Sequence, residues 1–225
     1  MSMSTRGLQK KTTNDTLPQK APLLGIRRHC LGGRDGRGVS SLVSLYGCPL
    51  RCLYCLNGKT LLKDTPSYQI SANELIEKLK IDNLYFIYTG GGVPFGGGEP
   101  LLHHSFIEDF ISKKPTKWNI FIETSLNVPL SSIKNIASKV DLFIVDCKDM
   151  NNDIYIKYTG KDNSLVINNL KWFVSNGMSE KIKVRVPLIK GINTPYDQKE
   201  SIRKLHSFGV SNIELFEYIV PDSCV

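Results

Sequence analysis

SLVSLYGCPLRCLYCLN (residues 41–57) joins a short apolar run to three closely spaced cysteines. The run at 41–46 reads as a strand that delivers the chain directly into a loop holding Cys48, Cys52 and Cys55. Three thiolates pose a question of ligand number. A structural zinc site normally closes its tetrahedron with a fourth protein ligand, whereas a catalytic metal site leaves one position open. The rest of the chain has to decide between them.

Outward from that loop, short apolar runs alternate with amphipathic segments. In ISANELIEKLK (70–80), Ser71 and Glu74 have capping-box spacing, and Leu75, Ile76 and Leu79 form one apolar face. LYFIY (84–88) reads as a buried strand running into a glycine-rich turn. A helix over about 103–113 precedes a strand at 119–124, and a helix near 130–138 precedes a strand at 141–147. A helix over about 164–175, a strand at 181–189, a helix at about 196–208 and a strand at 212–218 close the series. About six strand–helix units predict an α/β fold of parallel strands with crossover helices. They can curl into a partial (β/α)6 TIM-like barrel or lie open as a doubly wound sheet. In either case the active site belongs at the carboxyl ends of the strands.

The residues just past each strand therefore carry the functional signal. After the first strand come the three cysteines, and after the second TGGGVPFGGGEP (89–100). The third ends in Glu123, Thr124 and Ser125, the fourth in Asp146 and Lys148, and the fifth contains Arg185. In a parallel sheet these groups converge on one mouth. Glycines in such number around Glu99 let backbone groups approach a ligand closely. Taken alone, Asp146 reads equally well as a helix cap and Lys148 as a solvated surface residue. Arg185, within an apolar strand, needs an acceptor; a ligand carboxylate, Glu99 and Asp146 are the candidates.

The totals set bounds. The 225 residues, 41% hydrophobic and 22% charged, suit one globular domain, read here as 22–225 after a disordered tail at 1–21. The net charge of +8 permits acidic partners, but the basic residues are scattered without an aromatic-interleaved stripe, so nucleic acid is not expected. No apolar run has the length of a membrane span, and the polar N-terminus lacks a secretory core, so a cytoplasmic location is expected. Of six cysteines, Cys30, Cys147 and Cys224 lie far from the cluster of three. That distribution speaks for metal or redox chemistry rather than a disulfide framework.

Cys-x3-Cys-x2-Cys after a first strand, with Gly97-Gly98-Glu99-Pro100 after a second, resembles the radical S-adenosylmethionine (SAM) superfamily over about residues 35–193. Within it the chain is most similar to the glycyl-radical-enzyme activating group, of the kind that activates pyruvate formate-lyase. The stretches at 35–57, 90–102, 141–160 and 184–193 carry that similarity. The resemblance implies a partial barrel in which Cys48, Cys52 and Cys55 hold a [4Fe–4S] cluster, with SAM on its open iron. Reductive cleavage of SAM to methionine and a 5′-deoxyadenosyl radical is then used to take a hydrogen atom from a glycine of a glycyl radical enzyme. It implies that Gly97, Gly98 and Glu99 hold the SAM amino group. Thr124, Asp146 and Lys148 match positions contacting its carboxylate or ribose. Glu123 with Asp146 matches a place for a monovalent cation; Arg185 lies close to SAM, and Tyr54 near adenine. The partners implied are a protein or peptide substrate and a flavodoxin- or ferredoxin-like electron donor, with the chain itself a monomer.

Several positions depart from the group's pattern. Ser40 replaces an arginine in the opening segment associated with partner docking, and Leu56 replaces a histidine. Pro94 and Gly96 stand for the usual Thr and Ser. FEYIVPDSCV (216–225) ends where a histidine-containing segment usually continues. A second enzymatic reading is epimerisation or crosslinking of a ribosomally made peptide, with Cys224 as a hydrogen donor. A small-molecule synthase of the deazaguanine type shares the glycine turn but fits 146–150 and 185–193 less well. A zinc- or cluster-binding module without catalysis leaves the strand-end charges unexplained.

Overall fold

The structure, a computed structural model, describes residues 19–31, 38–61 and 68–219. Its strands are β1 (Lys20–Leu31), β2 (Val39–Leu45), β3 (Tyr68–Ser71), β4 (Gly92–Gly97), β5 (Asn119–Thr124), β6 (Leu142–Asp146), β7 (Ile182–Ile189) and β8 (Ile213–Tyr218). They form one sheet in the order β3-β1-β2-β4-β5-β6-β7-β8. From β2 to β8 every pairing is parallel, and β1 and β3 extend the β2 edge antiparallel. The six parallel strands match the number expected, five of them at the positions expected. The sheet is open, because β3 and β8 are both edges.

The helices are α1 (Gly58–Leu61), α2 (Ala72–Leu79), α3 (Asn83–Thr89), α4 (His104–Lys113), α5 (Ser131–Lys134), α6 (Asn152–Thr159), α7 (Ser164–Ser175) and α8 (Pro195–Ser207). At α2 the capping box forms: the Ser71 hydroxyl accepts from the Glu74 N–H and the Glu74 carboxylate returns to the Ser71 N–H. Thr194 and Asp197 repeat the device at α8, with Pro195 in the first turn. Along β5, Ile120 and Ile122 enter the main core, while Phe121 joins Leu142 and Ile144 in a separate small cluster. By strand alternation that cluster shares its face with Glu123 and Asp146, and so plugs the barrel beneath them.

Three readings need correction. LYFIY is helix α3, and the second parallel strand is the glycine-rich run Gly92–Gly97 that comes after it. The antiparallel strands β1 and β3 and the helix α6 went unread. The tail drawn to residue 21 overlaps β1, where Ala21 is fully buried; residues 1–18 lie outside the described residues, as do 32–37 of the opening segment and Cys224.

Candidate active site

The cysteine loop leaves β2 and is fastened on several sides by protein alone. Gly98 N–H donates to Leu45 O at 2.9 Å and Glu99 N–H to Gly47 O at 2.7 Å, so the glycine turn pairs with the start of the loop. A Cβ on Gly98 would stand 2.0 Å from Gly47 O, which only glycine avoids. Asn57 Nδ2 donates to Gly97 O at 2.8 Å. From another direction, the carbonyls that end α6 take up loop amides: Arg51 N–H reaches Thr159 O at 2.8 Å and Leu53 N–H reaches Tyr158 O at 3.0 Å. These are the acceptors a helix C-terminus leaves unpaired, and they flank Cys52. The Arg51 guanidinium donates to Cys48 O and Leu50 O, both at 3.0 Å. Finally the Tyr218 hydroxyl, at the end of β8, donates to Tyr54 O across the opening of the sheet.

Glu99 is only 1% exposed and accepts four hydrogen bonds. They come from Thr124 Oγ1 (2.7 Å), Ser125 Oγ (2.6 Å), Ser125 N–H (2.9 Å) and Leu101 N–H (3.3 Å). Burial pushes its carboxyl pKa up and these donors oppose the rise. Asp146 answers the question of the Arg185 acceptor. Its Oδ1 takes the guanidinium at 2.7 Å and its Oδ2 takes Lys148 Nζ at 3.0 Å. Burial works against the Asp146 charge, but the two cations outweigh it and hold the pKa down at about 2. Lys148 and Arg185 are driven upward, burial opposing and Asp146 prevailing. Glu123 stands 3.8 Å from Arg185, which thus bridges the two carboxylates expected to favour a cation. Glu214 lies 2.7 Å from Lys183, close enough for an ion pair but not aligned as a hydrogen bond.

All three cysteines, Gly97, Gly98, Glu99, Glu123, Thr124, Asp146, Lys148 and Arg185 line one cavity of about 390 Å³. Tyr54 is not on its wall. Sequence reading missed Tyr158, Glu214, Phe216 and Tyr218, which are, and left Ser125 without a role. IELFEY does not alternate apolar with polar, so its cavity face carries no clear signal, and nothing local marks Tyr158.

The cysteines suit an iron–sulfur cluster. Burial raises the Cys48 thiol to about 11, with the charges of Glu99, Cys52 and Cys55 adding to it. Burial raises Cys52 as well, against the pull of Lys148. Such thiols ionise on binding a cationic metal centre. Among the described residues, no three or more His, Cys, Asp or Glu side chains are grouped to hold a single metal ion. Three thiols spread around one cavity can instead each take a different iron of one cluster.

The model of the Radical SAM superfamily matches residues 42–205. The chain belongs to the radical SAM superfamily. The radical SAM chain is 32% identical over 198 residues to a pyruvate formate-lyase-activating enzyme of Staphylococcus epidermidis, covering 84% of this chain and 77% of that one. A Staphylococcus aureus enzyme of the same name is 31% identical with the same coverage. Among solved structures, Streptococcus suis SuiB bound to precursor peptide SuiA superposes with TM-score 0.60 at 17% identity, over 78% of this chain and 38% of SuiB. Native anSMEcpe with bound AdoMet gives 0.55 at 21% identity, over 78% and 50%. These likenesses show the fold. Membership implies a [4Fe–4S] cluster and SAM. No helix among the described residues is long and apolar enough to cross a membrane.

Proposed function

We propose that this radical SAM protein is an activase that positions a glycine Cα–H of a protein partner for hydrogen-atom abstraction. The convergence on one cavity of Cys48, Cys52 and Cys55 with charged residues on or just past the five further parallel strands carries the reading. The activating enzymes at 31–32% identity favour the glycine substrate over a ribosomal peptide. Bound together, the cluster and SAM supply a 5′-deoxyadenosyl radical by one-electron cleavage of the sulfonium.

The chain's own residues then hold and screen. Cys48, Cys52 and Cys55 each ligate one iron. Glu99, oriented by Thr124 and Ser125, receives the SAM ammonium through a charge-assisted hydrogen bond. Thr124 acts through Glu99, because its hydroxyl proton is already donated there. Gly97 and Gly98 contribute by keeping the turn close to the loop, and the Gly98 N–H is held by Leu45. Lys148 and Arg185, fixed by Asp146 with Glu123 beyond, supply positive charge for the methionyl carboxylate. Tyr158 and Tyr218, on the cavity wall, offer further aromatic faces for adenine beside Tyr54. A flavodoxin- or ferredoxin-like donor delivering the electron in the cytoplasm completes the proposal.

The test is anaerobic reconstitution with iron and sulfide, and then addition of dithionite and SAM. Release of 5′-deoxyadenosine, and a glycyl radical seen by electron paramagnetic resonance when a glycyl radical enzyme is added, are the expected results. Iron binding with no 5′-deoxyadenosine from wild type or Cys52→Ala would sink the catalytic reading. 5′-Deoxyadenosine without a glycyl signal, but with a mass change on a short precursor peptide, would favour peptide modification.

A further inference from the structure

Among the described residues the parallel sheet ends at β8, beside the cavity. Glu214, Phe216 and Tyr218 line the cavity, so one face of the last strand belongs to the site. Among the described residues its neighbour is β7 alone, in a register running from Val184↔Ile213 to Ile189↔Tyr218. Val184 N–H donates to Asn212 O at 2.9 Å, so the residues of even number turn their backbone groups toward β7. By the alternation of a parallel ladder, the N–H and C=O groups of Ile213, Leu215 and Glu217 then point outward. No strand among the described residues pairs with that edge. The other edge, β3, contributes nothing to the cavity wall.

β8 carries few of the devices that guard an edge, its charges being Glu214, turned to the cavity, and the exposed Glu217. IELFEY has no proline and no lysine, Leu215 is 53% exposed, and Ile219 just beyond it is 84% exposed. The only exposed charge on the strand is Glu217, which makes this edge locally acidic in a chain of net charge +8.

We infer that the protein substrate docks as an added strand on the outer edge of β8, with its glycine at a position facing the cavity. This rests on the activase reading and deepens it. An extended segment paired there places alternate residues on the face shared by Glu214, Phe216 and Tyr218. At such a position every other residue projects a side chain. Glycine alone projects a Cα–H. The edge therefore selects backbone shape first, and Glu217 favours a lysine or arginine in the same segment.

The probe is a fluorescein-labelled peptide, Lys-Thr-Val-Ser-Gly-Ser-Val-Thr-Lys, titrated by anisotropy into the anaerobically reconstituted, SAM-loaded protein. Leu215→Pro removes an outward N–H and no bond to β7, a change an edge strand tolerates. It is expected to weaken the peptide about tenfold or more, with iron content and 5′-deoxyadenosine release unchanged. Independently of any variant, N-methylation along the peptide should weaken binding at every second residue and spare those between. No saturable binding to wild type, or loss without a period of two, overturns the inference. So does an edge that Leu215→Pro shows to hold a second copy of this chain, by loss of a dimer in light scattering while the peptide still binds. A glycyl radical formed as well by Leu215→Pro as by wild type also removes the edge but leaves the activase standing. Period-two binding with no glycyl radical on any partner removes the activase and keeps the strand site.

Discussion

Asp146 receives Arg185 on one oxygen and Lys148 on the other, so replacing it takes the shared anion from two cations whose side chains are largely buried and leaves Arg185 with the more distant Glu123. Asp146→Asn is expected to cost about 3 kcal/mol, as breaking a buried pair from one side does. Lys148→Gln, which leaves Asp146 with Arg185, is expected to cost less. The direction with pH is set by the Asp146 pKa, held at about 2 against roughly 3.9 in an unfolded chain. A depressed carboxylate contributes stability that is present above the unfolded value and lost as pH falls through the folded one. Values of pH 5 and 8 both lie above that window. Urea midpoints of wild type and Asp146→Asn should therefore differ by the same amount at both. A gap that closes at pH 8 would mean that the triad is not the source of the difference.

The glycine-rich segment shows how two glycines at either end of β4 act by different physics. Gly90 ends α3 with φ of 71° and open space around its missing Cβ, so Gly90→Ala meets only the left-handed backbone cost, about 1 kcal/mol. Gly98 packs against Gly47 O, and Gly98→Ala must push the cysteine loop away. Its expected cost is about 2 kcal/mol or more, with faster loss of iron to a chelator that Gly90→Ala does not share. This segment is also where sequence reading failed. LYFIY is apolar on all sides, and a short run of that kind fits a buried strand as well as a helix. As α3 it leaves Leu84, Tyr85 and Tyr88 exposed, which no periodicity foretells. GVPFGG, with three glycines and a proline, has poor strand propensity; pairing with β2 and β5 imposes the extended form. By contrast β5, α7 and the capping box of α2 were legible because period and caps agree within each segment. That the strand-end residues meet at one cavity was legible for one reason: parallel strands bring their carboxyl ends to one rim. Tyr158 and the carbonyl cradle at the end of α6 were not, since contacts with Arg51 and Leu53 across a hundred residues leave no local pattern.

At the scale of the whole molecule, the core and the cysteine loop are separate. The main apolar core packs the outward faces of the strands under the helices; Cys147 belongs to it, and Cys48, Cys52 and Cys55 take no part in it. The loop itself is tied to the glycine turn by Gly98 and Glu99, to α6 by Arg51 and Leu53, and to β8 by Tyr218. None of these bonds involves a thiol. Small zinc domains unfold when their metal leaves, because binding and folding are one process there. This chain is expected to behave otherwise. Removal of iron by an anaerobic chelator should leave the far-ultraviolet circular dichroism unchanged and the urea transition cooperative, at a somewhat lower midpoint. Hydrogen exchange gives the residue-level check: the amides of Arg51 and Leu53, held by Thr159 and Tyr158, should stay protected after iron is lost. If those amides exchange freely in the iron-free protein while α7 stays protected, the cradle does not hold the loop without metal, and the cysteines would have to be counted as part of the fold.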